Sequence, residues 1–398
     1  MESKLVMTKS PYLVEPFKNA QEVIKIAVDN GLLQKFELDE ELIKDYLDSK
    51  DSIPLWIVEA ACDINKAHIK IPAQYQYLWF CLHGANVTRT QPSGRKFRSL
   101  INFTSCYVNS DDRLKELIIK TCKYLNIPQT KLSILCGYKE GTIRMNMNKI
   151  PLIVLLKISQ ILKRDIWKLL EGYMLYGKTS KKGRIKIPNC EKDVKMGIIL
   201  TWLRTEGHLE LRSTHVEINQ KNNIKSLKGL RRLINQTFNL TNTPTHFFKG
   251  SRGEDRLIIS SSPLRQLLCL KFDLPLGYKS GCLKKMDFEG FSEEDYKKVM
   301  SAFVQTEGCL SSHNTRNKKK KLPRFEFIVK DNSLAEDCVF VLKKLNFQPS
   351  FKHQRDNFKV GIYNSKEVIR LVNHIKPYIL NQNKINYLKK ICSNGIGL

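Results

Sequence analysis

Long apolar runs are missing from this chain. The longest, such as Ile150 to Leu156, are far too short to cross a bilayer. Metal-type cysteine spacing is missing too. Eleven cysteines are scattered singly from Cys62 to Cys392, with no Cys-x-x-Cys pair and no His-x-x-x-His run, which argues against a structural zinc site. Acidic residues are scarce, 39 Asp+Glu against 67 Lys+Arg. The opening Met1-Glu-Ser-Lys-Leu-Val-Met has no signal-peptide core, so reduced thiols and a cytoplasmic location are expected.

What is present is a folded, strongly basic protein. The 398 residues allow two or three domains, and 42% apolar with 9% aromatic residues suffices for packed cores. A formal charge of +28 sets up a field that attracts nucleic acid and, less readily, anionic lipid. Charge constrains partners and not chemistry, so motifs must carry the rest.

Residues 1–110 read as mostly helical, with amphipathic stretches at 21–33, 39–48 and 55–65, and show no chemistry. Residues 111–176 read as a compact all-helical unit. Within it, Thr130-Lys-Leu-Ser-Ile-Leu-Cys-Gly137-Tyr-Lys-Glu-Gly-Thr-Ile143 resembles the phage-repressor type of helix-turn-helix, with Leu132, Cys136 and Ile143 locking the helices. That resemblance implies that Lys139, Glu140 and Arg144 face DNA. Gly141 inside the second helix and Tyr138 in place of a small aliphatic residue depart from it. The Gly/Lys/Ser-rich stretch 177–190 reads as a solvated basic linker.

The remainder is duplicated. Gly197-Ile-Ile-Leu-Thr-Trp-Leu-Arg-Thr-Glu206-Gly207 and Lys298-Val-Met-Ser-Ala-Phe-Val-Gln-Thr-Glu307-Gly308 place the same carboxylate–glycine ending 101 residues apart. Two alternating strands follow each. Lys221-Asn-Asn223 and Lys330-Asp-Asn332 then open a helix, and two more strands and a helix complete the unit. Both halves, 191–285 and 286–398, therefore read αββαββα, an α+β fold class. Period two aims Glu210, Arg212, Glu217, Asn219, Arg324 and Glu326 at one face of the strands. It aims Leu209, Leu211, Ile218, Phe325 and Phe327 at the helices.

This order, with apolar helices ending in acid–Gly, resembles the LAGLIDADG homing endonucleases in their single-chain, two-repeat form, over roughly residues 190–390. The resemblance implies two pseudo-symmetric repeats forming a saddle over double-stranded DNA, in a monomeric protein. The named helices would pack side by side, which wants small residues at the contact. The second supplies Ser301 and Ala302; the first has Leu200 and Thr201, so looser or asymmetric packing is expected. The resemblance further implies a site-specific double-strand break serving intron homing. Glu206 and Glu307 would be the catalytic acids, and Mg²⁺ would be held by Glu206, Gly207, Glu307 and Gly308. Lys279 and Lys384 would stabilise charge on the phosphate. DNA contacts would come from Arg212, Asn219, Lys249, Arg252, Arg256, Lys318, Lys319, Lys320, Arg324, Lys352, Arg355 and Lys359. Both acids are Glu where the motif's name has Asp. A catalytically silent DNA-binding transcriptional regulator and an RNA-splicing maturase with intron RNA as partner are the alternatives. An intein is disfavoured, because no splicing Cys or Ser opens the chain and no His-Asn closes it.

Overall fold

A computed structural model of the chain describes residues 13–14, 20–31, 53–54, 106–135, 143, 148–162, 164–177, 183–188, 193–210, 214–221, 223–240, 243–274, 283–314, 321–380 and 386–387. The chain divides into two compact units, 1–181 with 266–272, and 182–265 with 273–398. Among the described residues no helix is long and apolar enough to cross a membrane.

In the first unit β1 (Leu13–Val14) precedes α1 (Ala20–Asp29) and pairs with β2 (Ile53–Pro54). Next come β3 (Cys106–Asn109), α2 (Asp112–Tyr124), α3 (Gln129–Leu135), β4 (Lys149–Pro151), α4 (Leu152–Ile161), α5 (Ile166–Leu170) and β5 (Met174–Gly177). The region expected to be all-helical thus contains a small antiparallel sheet. Its centre is β3, which the boundary at 111 had cut away; β4 and β5 flank it. Val108 lies opposite Ile150 and Leu175, and all three are fully buried. Strands of three or four residues are too short to show a period of two, which is why sequence reading missed them.

Asp111 ties this sheet to the helices. Its carboxylate caps α2 through the Leu114 N–H at 2.9 Å and accepts from the Tyr173 hydroxyl. Burial, then that hydrogen bond, lifts the Tyr173 phenol to about 12. Leu132 and Ile143 are buried, and the Ile143 N–H donates to Ser133 Oγ at 2.8 Å, which ties α3 to residue 143. Cys136, Lys139, Glu140 and Arg144 lie outside the described residues.

The second unit begins earlier than expected. Residues 183–188 belong to it and are no solvated linker: β6 (Ile185–Lys186) buries Ile185 and, with Ile187 beyond it, reads as an alternating segment. The Gly183 carbonyl accepts from Ser261 Oγ at 2.7 Å. A Gly/Lys-rich composition conceals this anchor, because only two isoleucines carry it.

Two matching runs follow. The first is α6 (Val194–Thr205), β7 (Gly207–Leu209), β8 (His215–Lys221), α7 (Ile224–Phe238), β9 (Thr245–Lys249), β10 (Glu254–Ser260) and α8 (Ser262–Leu270), whose residues from 266 onward fall to the first unit. The second is α9 (Glu293–Gln305), β11 (Gly308–Asn314), β12 (Lys321–Val329), α10 (Asn332–Lys344), β13 (Ser350–Gln354), β14 (Asn357–Ile362) and α11 (Ser365–Ile375). Each forms a four-stranded antiparallel sheet, in the orders β7-β8-β10-β9 and β11-β12-β14-β13.

The registers match row by row. Gly207, Ile218, Leu257 and Phe247 lie across the first sheet where Gly308, Phe327, Val360 and Phe351 lie across the second. Period two then decides the faces. Leu209, Ile218, Phe325 and Phe327 turn inward and are at most 3% exposed. Phe303 of α9 meets Phe327 edge-on, with centroids 5.3 Å apart, a contact worth about 0.5–1.5 kcal/mol beyond its area.

Candidate active site and nucleic-acid interface

The helices that end in the two acids pack against each other. Each is started by a side-chain cap. Asp193 accepts from the Lys195 N–H at 2.8 Å for α6, and Ser292 with Asp295 forms a capping box for α9. Gly197 stands at this contact. A Cβ there would lie 2.9 Å from the Phe291 ring and 3.2 Å from Val299 Cγ2. Thr201 fits the same seam fully buried, its hydroxyl turned back to the Gly197 carbonyl at 2.8 Å, so the contact wanted no smaller residue there. Ser301 and Ala302 are buried on α9. The small residues therefore stand at different points along the two helices.

Beyond the seam, each helix reaches into the other repeat. Arg204 of α6 donates to Asp337 of α10 and to the Lys284 carbonyl. Gln305, the corresponding position of α9, lies 3.3 Å from Ser226 Oγ of α7 and accepts from the Leu380 N–H at 2.9 Å. Both ends are stitched across, one by an ion pair and one by an amide.

The acid–glycine endings then follow from backbone sterics. A Cβ on Gly207 would sit 2.6 Å from Leu203 Cα and its carbonyl oxygen; on Gly308 it would sit 2.6 Å from Val304 Cα. Only glycine lets the chain fold back over the last helical turn directly into a strand. That turn fixes Glu206, the C-cap of α6, and Glu307, two residues past α9, at helix ends where carbonyls concentrate negative potential.

The two acids differ in surroundings. Glu206 is half-buried and accepts from Gln220 Nε2 at 2.6 Å. Gln220 accepts in turn from Asn223 Nδ2 at 3.0 Å, and the Asn223 N–H donates to Asp255 at 2.7 Å, which pairs with Lys249 at 2.6 Å. In the second repeat the row Gln220, Asp255, Lys249 is replaced by Val329, Phe358, His353, and Glu307 is exposed. Gln220 was missed by sequence reading; the signal available was a long polar side chain breaking the inward alternation of β8. Among the described residues no three His, Cys, Asp or Glu side chains gather to hold a metal. A cation between Glu206 and Glu307 would need further oxygens from backbone, water or phosphate, which suits a hard ion.

On the outer faces of the sheets, Glu217 and Glu326 are not exposed readers: they are 9% and 6% exposed. They occupy equivalent rows, and each is paired with the cation on the next strand, Arg256 at 3.3 Å and Lys359 at 2.5 Å. A hydrogen bond to Glu326 raises the Lys359 ammonium above its usual range. Arg324 lies 3.5 Å from Glu326, and the Tyr363 hydroxyl donates to the same carboxylate at 3.3 Å. Asn219 lies beside Arg256, and Lys352 beside Lys359. Lys249 sits in the row of Asp255, on the opposite side of the first sheet from Arg256. Arg252 and Arg355 occupy the exposed turns β9–β10 and β13–β14, Arg355 with a left-handed backbone at φ 54°. Arg212, Lys279, Lys318, Lys319, Lys320 and Lys384 lie outside the described residues.

No family model matches the chain, and no characterised protein matches it by sequence. Among solved structures it is similar to full-length DUF199/WhiA from Thermatoga maritima, at 12% identity and TM-score 0.33, covering 51% of this chain and 61% of that one. The chain thus spans about three fifths of that protein's length. It is also similar to the LAGLIDADG meganuclease I-AabMI bound to uncleaved DNA, at 13% identity and TM-score 0.36, covering 50% of this chain and 90% of that one. A third is the homing endonuclease I-DmoI in complex with DNA and Mn, at 18% identity and TM-score 0.32, covering 46% and 97%. Scores this low carry no argument by themselves; the duplicated fold described above rests on the chain's own registers.

Proposed function

We propose that the chain is a LAGLIDADG-type endonuclease that binds double-stranded DNA and breaks both strands. One observation carries this reading: the same αββαββα unit occurs twice, and in each a close-packed helix delivers a glutamate through a turn that only glycine allows. Duplicated acids suit a duplicated substrate, the two strands of a duplex. The surplus of 67 Lys+Arg over 39 Asp+Glu suits a polyanion.

Glu206, Gly207, Glu307 and Gly308 would hold a divalent cation, Mg²⁺ by its preference for oxygen. When bound, such an ion supplies neutralisation between the carboxylates and Lewis acidity toward a phosphate oxygen. The protein's part is positional. Gln220 orients the Glu206 carboxylate by donating a hydrogen bond to it. Lys279 and Lys384 would stabilise charge developing on the phosphate. In the first unit, Lys139, Glu140 and Arg144 would add base contacts.

Supercoiled plasmid carrying the protein's own genomic neighbourhood, incubated with Mg²⁺, tests the proposal. A discrete cut that disappears in Glu206→Gln and in Glu307→Gln is the expected result. Tight metal-independent binding with no cut overturns the enzyme and leaves the regulator reading; preference for intron RNA over duplex DNA points to the maturase.

A further inference from the structure

The outer faces of the two sheets share a register and differ in charge. On the first, the described residues Glu210, Glu217 and Glu254 stand against Lys221 and Arg256. On the second, Glu326 alone among the described residues stands against Arg324, Lys352 and Lys359, with Lys330 just beyond β12. The equivalent rows make the contrast sharp: Asn219, Arg256, Phe248 in one sheet and Ile328, Lys359, Lys352 in the other.

Arg256 is engaged inside its own sheet. Its Nε donates to Glu254 at 3.0 Å, Nη2 donates to the same carboxylate, and Nη1 reaches Glu217 at 3.3 Å. Two carboxylates around one guanidinium leave a net negative cluster. Lys352, where the first sheet has Phe248, is exposed on the open face. Arg324 has a hydroxyl partner in Ser311 at 2.9 Å and a single carboxylate, Glu326, that it shares with Lys359.

We infer that the second repeat's sheet is the phosphate grip for duplex DNA, whereas the first repeat's sheet approaches the duplex with little net charge and Arg256 makes no phosphate contact. This rests on the duplex-binding reading above. Each phosphate neutralised by a side chain adds about 0.9 to the slope of log affinity against log salt, so the division of labour is measurable.

The experiment is a titration of a fluorescein-labelled mixed-sequence duplex with the full chain across a KCl series. Lys352→Gln and Arg324→Gln are each expected to weaken binding and to lower the slope by about 0.9. Phe248→Lys should raise it. Arg256→Gln should leave the slope as in the parent. Because that change strands the Glu217 carboxylate, the pair Glu217→Gln with Arg256→Gln serves as the folded control, with the same expected slope. A slope loss for the Arg256 variants equal to that of Lys352→Gln overturns the inference, and so does an unchanged slope in Lys352→Gln. If the parent chain binds no duplex at any salt, the duplex-binding reading itself fails, and the inference falls with it.

Discussion

Asp337→Asn puts the joint between the repeats under test. Arg204 and Asp337 are each 3% exposed, and the guanidinium has only Asp337 and the Lys284 carbonyl as described partners. The amide keeps the shape of the side chain and can still accept from the Met286 N–H, now at 3.2 Å. It removes the counter-charge, and a buried cation left in that state costs about 3–5 kcal/mol. Arg204→Met leaves the opposite problem, which the protein can relieve by protonation. Burial raises the Asp337 carboxyl and Arg204 pulls it down, so loss of Arg204 leaves burial unopposed and the carboxyl takes up a proton. Replacing both residues, by Met and Leu, removes both penalties and should restore near-parental stability. Urea titrations read by hydrogen exchange over residues 194–205 would measure all four proteins. A cost below about 1 kcal/mol for Asp337→Asn, or a double variant as unstable as that single one, refutes the reasoning.

Gly207→Ala and Gly308→Ala should each lower the stability of the second unit by about 1–3 kcal/mol, read as a lower melting temperature, because the new methyl meets the backbone of its own helix. Gly197→Val should destabilise similarly through Phe291, and Phe291→Ala should partly rescue it. Gln220→Ala should slow cleavage dependent on Glu206 with little change in duplex affinity, seen as accumulation of nicked plasmid; equal loss of binding would show that Gln220 acts on the substrate instead. Tyr173→Phe should cost the first unit about 1 kcal/mol in a thermal melt, since Asp111 keeps its cap on α2.

Much of the second unit was legible from period and punctuation. The helices Ile224–Phe238 and Ser365–Ile375 end where the apolar stripe and the turn residues end, and the inward set Leu209, Ile218, Phe325 and Phe327 follows from alternation alone. Three kinds of feature were not legible. Pairing across strands hid the fate of Glu217 and Glu326, since a carboxylate in an alternating strand looks exposed until its neighbour on the next strand is known. Short strands such as Cys106–Asn109 carry no periodicity. Gly197 stands inside the first repeated motif, yet its role depends on Phe291, nearly a hundred residues away, which local pattern does not reveal. Of the candidate site, the two glutamates and their glycines could be read off; the inequality between them required Gln220 in place.

The crossed fastening at the helix ends bears on how such a chain is made. Arg204 finds its carboxylate 133 residues further on, and Gln305 reaches back 79 residues to Ser226. Neither half can close its own polar interior while the other is still being synthesised, so the first must wait on the ribosome with a guanidinium unanswered. Assembly of the second unit should therefore be a single late event and not two successive ones.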